Sequence, residues 1–512
     1  MKLNFAGAAL AALVAVGVGA GPALAQKAQD TIRLAINDPF SVLDSFTVGH
    51  EESNTFNRTI YQHLIAYDEY KKKWVPILAK SFKRINETTL EFELRNNVKF
   101  HNGNPFNAED VKYTVDWATH PDSKVVFKDR YTWIKQVEVL DPYKIRIHSK
   151  QPFSTDLGAL AYRLRIYDKE THEALQEKSD YGRIGVGTGP YKLVSLDRNK
   201  GVVAEKFDGY FGDEGYFRAP VNRVHGLFIP DRQTRVAQLM TGGIDLMRNI
   251  GADEAKDLAS NPALGVTTTA SGSLLYITLD ALGRSGNKAM MDERVRKAFI
   301  MAIDRDLLVK NLVPGGEKAI QPKGICLPSV FGCTPTNEPY KYDPAQAKKL
   351  LAEAGYPNGL DLVVSVYDPQ KSIAEGIAGE LRKVGFRASV ESLTLSVYVK
   401  KRGDGELTAF VGQYPTGTHP DMVTLWDFFF TGNRDYWKDD VIAKIAAAGN
   451  VEFDDAKRAA LYTPALNRVN EKAYIYPMSE MPMLWAHNKD VVVMPDLLAD
   501  SAPVLGDFMW KK

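Results

Sequence analysis

The residues best suited to chemistry in this chain lie at 409–430, AFVGQYPTGTHPDMVTLWDFFF, where Tyr414, Thr416, His419, Asp421 and Trp426 fall close together. Aromatic rings offer an apolar face with a polar edge, and hydroxyls add directional bonds, a combination that holds a small molecule without reacting with it. Plainer roles compete for the same residues. Trp426 with Phe428, Phe429 and Phe430 also reads as core packing. Asp421 also reads as the cap of the following helix, and His419 by itself as a surface histidine. Catalytic patterns are missing: the chain holds no Gly-x-Ser-x-Gly elbow and no His-Glu-x-x-His, and Thr171-His172-Glu173 leads to neither. Scattered acidic pairs name no glycosidase dyad, and the nine histidines include no close pair that would start a metal site. No catalytic residue, metal ligand or cofactor is expected.

The glycine-rich run 182–191, GRIGVGTGPY, invites a phosphate-cradle reading. A cradle must open a helix, whereas Pro190 and the alternating Tyr191, Leu193 and Ser195 mark entry to a strand. The two cysteines, Cys326 and Cys333, share a Gly/Pro-rich loop with no histidine nearby, so a disulfide is expected if the chain is exported.

Export is expected from the N-terminus. Lys2 precedes an Ala/Val-rich apolar run to about Gly19, and Ala23-Leu24-Ala25 fits a small-residue cleavage site, so 1–25 reads as a signal peptide. The run is short for a membrane anchor. Cleavage after Ala25 removes one charge, Lys2, and takes the formal net charge from +1 to zero. Nucleic-acid binders carry a basic excess, which is absent here. A chain of 512 residues exceeds one core and implies two or three domains, and 45% hydrophobic with 25% charged residues is ordinary globular composition.

The elements that must position the 409–430 loop alternate between strand and helix. Leu90, Phe92 and Leu94 give a half-buried strand, Asn102-Gly103 a turn, and Asn107 a helix cap with Asp110 at N3. Phe56, Ile60 and Leu64 share one helical face. Asp231 caps a helix that Gly242-Gly243 ends, and Ser273 to Leu279 alternate as a strand. Two tandem helices follow in 291–313, with Asp304 opening the second; Asp343-Pro344 caps and starts another. Strands at 360–366 and 387–390 bracket a helix carrying Ile373, Ile377, Leu381 and Val384, the alternation of a doubly wound α/β unit. The loop at 416–421 then lies at the end of a strand, where open sheets place ligands.

Several of these stretches resemble one family. KFHNGNPFNAEDV, VPILAKSF, GTGPYKLVSLDRNKGVVAEKFDGYFG, VNRVHGLFIPDRQTRVAQLMTGGIDLM, VRKAFIMAIDR and YDPAQAKKLLAEAGYP are similar to motifs of the solute-binding proteins of ABC importers, the peptide/nickel-binding family 5 group, in the same order over about 30–495. The resemblance implies a periplasmic-binding-protein type II-like α/β fold: two α/β lobes with mixed sheets joined by crossing strands, and an extra domain inserted in lobe one. Mapped here, lobe one would hold 26–72, 186–282 and 492–512, the insertion 73–185, and lobe two 283–491. It implies a monomeric periplasmic protein that encloses a small organic solute by hinge closure and hands it to a permease and ATPase at the inner membrane. It would also turn Phe46 toward the cleft. Dipeptide-binding members hold the peptide termini with an Asp in the 416–421 loop and an Arg before a Tyr/Asn/Pro loop. Here Thr416 and His419 occupy the acidic positions, and Ser365-Val366 precede Tyr367-Asp368-Pro369. An uncharged cleft is therefore expected, suited to a peptide-like solute, with an opine, an oligosaccharide or a nickel chelate as alternatives and a secreted hydrolase as a remote one.

Overall fold

A computed structural model describes residues 27, 29–44, 46, 51–68, 73–126, 128–212, 217–415, 420–494 and 504–512. The expected signal peptide at 1–25 lies outside the described residues. The fold is mixed α/β. Seven strands form one sheet in the order Leu264–Thr269, Met483–Asn488, Leu246–Arg248, Thr31–Ile36, Arg223–Phe228, Gly201–Lys206 and Tyr191–Asp197. Its centre, Thr31–Ile36, runs parallel to both neighbours. A buried ion pair pins that strand: Arg33 reaches Asp245 Oδ2 through Nε at 3.0 Å and Oδ1 through Nη2 at 2.9 Å, and its own backbone N–H also donates to Oδ2 at 2.8 Å.

A second sheet has five strands, in the order Phe386–Leu393, Leu360–Tyr367, Ala409–Pro415, Ser273–Leu279 and Ile475–Glu480. The first three are parallel to one another, while Ser273–Leu279 is antiparallel to both of its neighbours, Ala409–Pro415 and Ile475–Glu480. All seven residues of Ser273–Leu279 are buried, because helices cover both faces: Leu275, Ile277 and Leu279 join one apolar cluster, Leu274 and Tyr276 another. The chain passes between the two sheets at 270–272 and at 481–482. Ser273–Leu279 pairs in the five-stranded sheet, and Met483–Asn488 in the seven-stranded one. Ladder bonding decides this, and alternation along a single strand does not reveal its partner.

A separate four-stranded antiparallel sheet is formed by Ala79–Asn86, Thr89–Leu94, Lys144–Ser149 and Ile134–Asp141 in spatial order. The helix Ala108–Thr119 lies on it and begins in a capping box: Asn107 Oδ1 accepts from Glu109 N–H, and Asp110 Oδ2 accepts from Asn107 N–H. Asp110 Oδ1 accepts in addition from Lys169 N–H at 2.9 Å. Burial pushes this carboxyl up to about 7 against those two bonds, with Glu170 and Asp168 adding to the rise.

One helix is shorter than its apolar spacing suggests. Glu51–Ile60 stops before Leu64. The glycine-rich run closes on its end: Gly189 N–H donates to Ile60 carbonyl at 2.9 Å, and a Cβ at Gly189 would stand 1.9 Å from Thr59 carbonyl. Glycine there serves close backbone approach. Other caps stand where the spacing puts them, with Asp231, Asp304 and Asp343 accepting from Thr234, Leu307 and Gln346 N–H. No helix among the described residues is long and apolar enough to cross a membrane.

Cys326 and Cys333 are bonded to each other. Their loop is braced against the start of the helix Met422–Phe430, since Phe331 N–H donates to Pro420 carbonyl and Met422 N–H to Phe331 carbonyl. Replacing both cysteines by serine is expected to cost about 2 kcal/mol, the loop-closure value for so short a ring, read as a fall in urea midpoint at unchanged slope. Asp110 gives a pH signature. A carboxyl raised on folding binds its proton in the native state first, so the native state gains stability as pH falls from about 7 toward 4. Asp110→Asn should flatten that part of the stability profile, a difference bounded at about 4 kcal/mol, measured by urea titrations across the range.

Candidate functional site

Two parallel strands of the five-stranded sheet, Leu360–Tyr367 and Ala409–Pro415, end beside the crossing segments. A polar row marks these ends: Gln370 Nε2 donates to Gln413 Oε1 at 2.9 Å, and Gln413 Nε2 to Ser273 Oγ at 2.8 Å. Tyr414 sits in the same place, with its hydroxyl donating to Thr424 Oγ1 at 3.2 Å and its ring 4.5 Å from that of Phe428. Burial raises its phenol pKa. Thr416 and His419, one residue and four beyond the strand, lie outside the described residues.

The other expected contacts have different tasks. Asp421 caps Met422–Phe430 through Val423 N–H at 3.0 Å, and its Oδ2 lies 2.9 Å from Arg458 Nη1. Both carboxylate oxygens are thus committed. Trp426 is 1% exposed and packs on Phe430 and Tyr462. Phe46 is equally buried, wedged among Trp117, Tyr131 and Tyr167 with ring centroids 5.1–5.2 Å away. These contacts are those of core residues, since an apolar ring with three aromatic neighbours is already desolvated. Of the expected set, Tyr414 alone among the described residues combines a polar group with a position at a strand end.

Arginine supplies what sequence reading missed. Arg402, on the helix Leu395–Asp404, and Arg434, on the 3₁₀ turn Gly432–Arg434, both lie against Phe428, with Cζ 5.3 and 4.8 Å from its centroid. Arg402 also acts on the Tyr276 phenol. Arg163, at the end of the helix Asp156–Arg163, lowers the Tyr414 pKa by its charge against the rise from burial. Tyr131 holds that end by donating to Arg163 carbonyl at 3.1 Å. Two guanidiniums thus stand against Phe428 beside Tyr414, while Thr416 and His419, on which the expectation of an uncharged cleft rested, lie outside the described residues. Arg402 and Arg434 flank the 416–421 loop in sequence on separate elements, Leu395–Asp404 and Gly432–Arg434, and only Arg163 comes from a distant one, so no single motif announces them.

Contacts cross this seam. Ser154 donates through N–H to Asn450 carbonyl at 3.0 Å and through Oγ to Gly449 carbonyl at 3.1 Å, joining the four-stranded unit to the end of the helix Asp440–Gly449. Arg84, held bidentately by Asp156 at 2.8 and 2.7 Å, places its Cζ 4.4 Å from the Phe453 centroid. Two sheets joined by two crossing segments, with a polar seam between them, suit capture of a guest between rigid bodies.

The model of the bacterial extracellular solute-binding proteins, family 5 Middle, matches residues 73–436. The chain belongs to this family. Among its relatives is the glutathione-binding protein GsiB of Salmonella choleraesuis, 28% identical over 509 residues that cover 95% of this chain and 96% of the relative. The fold is shared with the ABC transporter substrate-binding protein CtaP of Listeria monocytogenes, at a TM-score of 0.83 and 19% identity, covering 94% of this chain and 99% of the other. It is shared likewise with the periplasmic binding protein DppA of Helicobacter pylori in complex with the peptide STSA, at 0.75 and 23%, covering 94% and 98%. Family 5 proteins bind and do not turn over their solutes, which accords with the lack of a nucleophile–base pattern in this sequence.

The seam contact to Phe453 is testable without disturbing a buried charge, because Arg84 keeps Asp156 when the ring is removed. Phe453→Ala is expected to speed solute release about fivefold, the equivalent of about 1 kcal/mol for a lost cation–π contact. Stopped-flow dissociation would read this, with the thermal midpoint of the solute-free protein as the folding control.

Proposed function

We propose that this chain is the exported solute receptor of an ABC importer that captures a small peptide-like solute between two lobes. The solute would then pass to a permease at the inner membrane, driven by a separate ATPase. Lobe one would comprise the seven-stranded sheet with its inserted four-stranded unit at about 73–185, and lobe two the five-stranded sheet at about 273–480. The observation that carries this reading is the pair of crossings at 270–272 and 481–482, which lets two sheets hinge about a common seam. The N-terminal run ending at Ala25 supports cleavage and release into the periplasm. A peptide-like solute is favoured by the glutathione-binding relatives, which align along almost the whole chain.

Closure needs contacts that exist only in the closed form, and a shift from 1:99 to 99:1 takes about 5.5 kcal/mol of differential affinity. Small molecules released from gently purified, then denatured, protein should include a peptide or peptide conjugate by mass spectrometry. X-ray scattering should show a smaller radius of gyration when that compound is returned. Release of a sugar or a metal chelate in its place, or sustained consumption of the compound by the protein alone, would overturn the proposal.

A further inference from the structure

Three carboxylates of the four-stranded unit gather at one spot. Asp110 in the first turn of Ala108–Thr119, Asp168 and Glu170 each place an oxygen within 4.8 Å of the other two, the one such group of three acidic, histidine or cysteine side chains among the described residues. Asp110 and Asp168 are buried and Glu170 is exposed. Clustering by itself says little, since acidic groups often gather without an ion. The pointer to a ligand is Asp168. Its Oδ2 accepts from Asn102 Nδ2 at 2.7 Å, Asn104 Nδ2 at 2.9 Å and Thr171 Oγ1 at 2.5 Å, while its Oδ1 is buried with no partner. Three donors on one oxygen hold the carboxylate in place and leave the other to be satisfied from outside the chain. Each oxygen of Asp110 accepts one backbone N–H, Oδ1 from Lys169 and Oδ2 from Asn107, and keeps a second lone pair. One other buried carboxylate oxygen among the described residues lacks a partner, Glu380 Oε2, but Lys383 Nζ neutralises that group through Oε1 at 2.6 Å. No cationic side chain among the described residues does the same for Asp168, and Lys169 next to it turns its Nζ to Glu109 at 3.4 Å.

Buried charges are paired or coordinate metals. A donor set made of oxygen alone suits a hard cation and not zinc or copper. Calcium bonds oxygen at about 2.3–2.6 Å, so ligands on opposite sides of one ion stand up to about 5 Å apart, and the 4.8 Å spread of this group fits that span. Magnesium gives up its water reluctantly and usually takes one or two carboxylates, which favours calcium for a set of three. We propose that Asp110, Asp168 and Glu170 bind a calcium ion, with Asp168 Oδ1 as the fixed ligand and the exposed Glu170 as the ligand on the side of entry. The ion ties the start of Ala108–Thr119 to the segment 168–170, two stretches that otherwise meet through the Lys169 N–H bond and the asparagines at 102 and 104. The site uses none of the strand-end residues and does not depend on the receptor reading.

The test is titration calorimetry of calcium chloride into the purified chain after EGTA treatment and dialysis, with magnesium chloride as the competing probe. Terbium luminescence gives a local readout, because Tyr181, whose hydroxyl accepts Asp168 N–H at 2.8 Å, can sensitise an ion held there. Calcium is expected to bind with a dissociation constant of about 10⁻⁴ M or tighter, to displace terbium, and to bind at least about tenfold more tightly than magnesium. It should also raise the thermal midpoint, by an amount that grows with calcium concentration. Asp168→Asn and Glu170→Gln should each weaken calcium at least about tenfold and remove that rise. Glu109→Gln, beside the group but outside it, should change neither. Thermal midpoints in EGTA show whether each variant is folded, and Glu170→Gln, at an exposed position, carries the test if Asp168→Asn is not. No uptake at about 10 mM calcium overturns the inference. So does equal affinity for magnesium, and so does calcium binding that survives both variants, which would place the ion elsewhere.

Discussion

The molecule is governed by how its chain changes sheets. Ser271 N–H donates to Glu480 Oε1 at 3.2 Å, its hydroxyl donates to Met481 carbonyl, and Met481 N–H returns to Ser273 carbonyl at 2.8 Å. Both crossings are therefore bound to each other at one point. Glu480 is buried there and its carboxyl raised by that burial, with the Ser271 and Gly272 backbone bonds opposing. On the two-lobe reading proposed above, this short, mutually bonded double crossing is the pivot about which the sheets turn as bodies. Every other feature of the seam depends on it, because side chains on opposite bodies meet in register only if the pivot is fixed.

Each body is rigid for ordinary reasons. Apolar clusters cover both faces of the five-stranded sheet, and the four-stranded unit packs its helix over Val111 and Val115 on a core continuous with that of the seven-stranded sheet. The seam differs from these cores in kind. It carries hydroxyls, amides and guanidiniums in place of aliphatic side chains, and the amides and hydroxyls bond one another along Gln370, Gln413 and Ser273 and between Tyr414 and Thr424. Phe428 is the junction of the two regimes: it edges onto Phe429 on one side and stacks against Arg402 and Arg434 on the other.

Reading along the chain recovers what short-range forces decide. The caps at Asn107, Asp231, Asp304 and Asp343 each accept a backbone N–H two or three residues on. Asp421 behaves the same way, which favours the plainer of the two roles its position allowed. The strand at Ser273–Leu279 was visible by alternation, but its sheet was not. The stop at Ile60 was hidden too, because the glycines that enforce it are more than a hundred positions away and meet the helix only through tertiary folding. The aromatic residues singled out in the 409–430 stretch are both buried in one cluster and divide by position, Trp426 inside the helix packing and Tyr414 at the strand end, a distinction that spacing does not contain.

The sequence by itself determined the family, the mixed α/β class, most helix starts and the absence of catalytic patterns, all of which rest on local order along the chain. Tertiary structure alone decided where the sheets exchange strands and which side chains meet at Phe428. Arg402 and Arg434 lie on separate elements either side of the 416–421 loop and meet on Phe428 only through folding, and a Coulomb field depends on distance through space, which the order of residues does not encode.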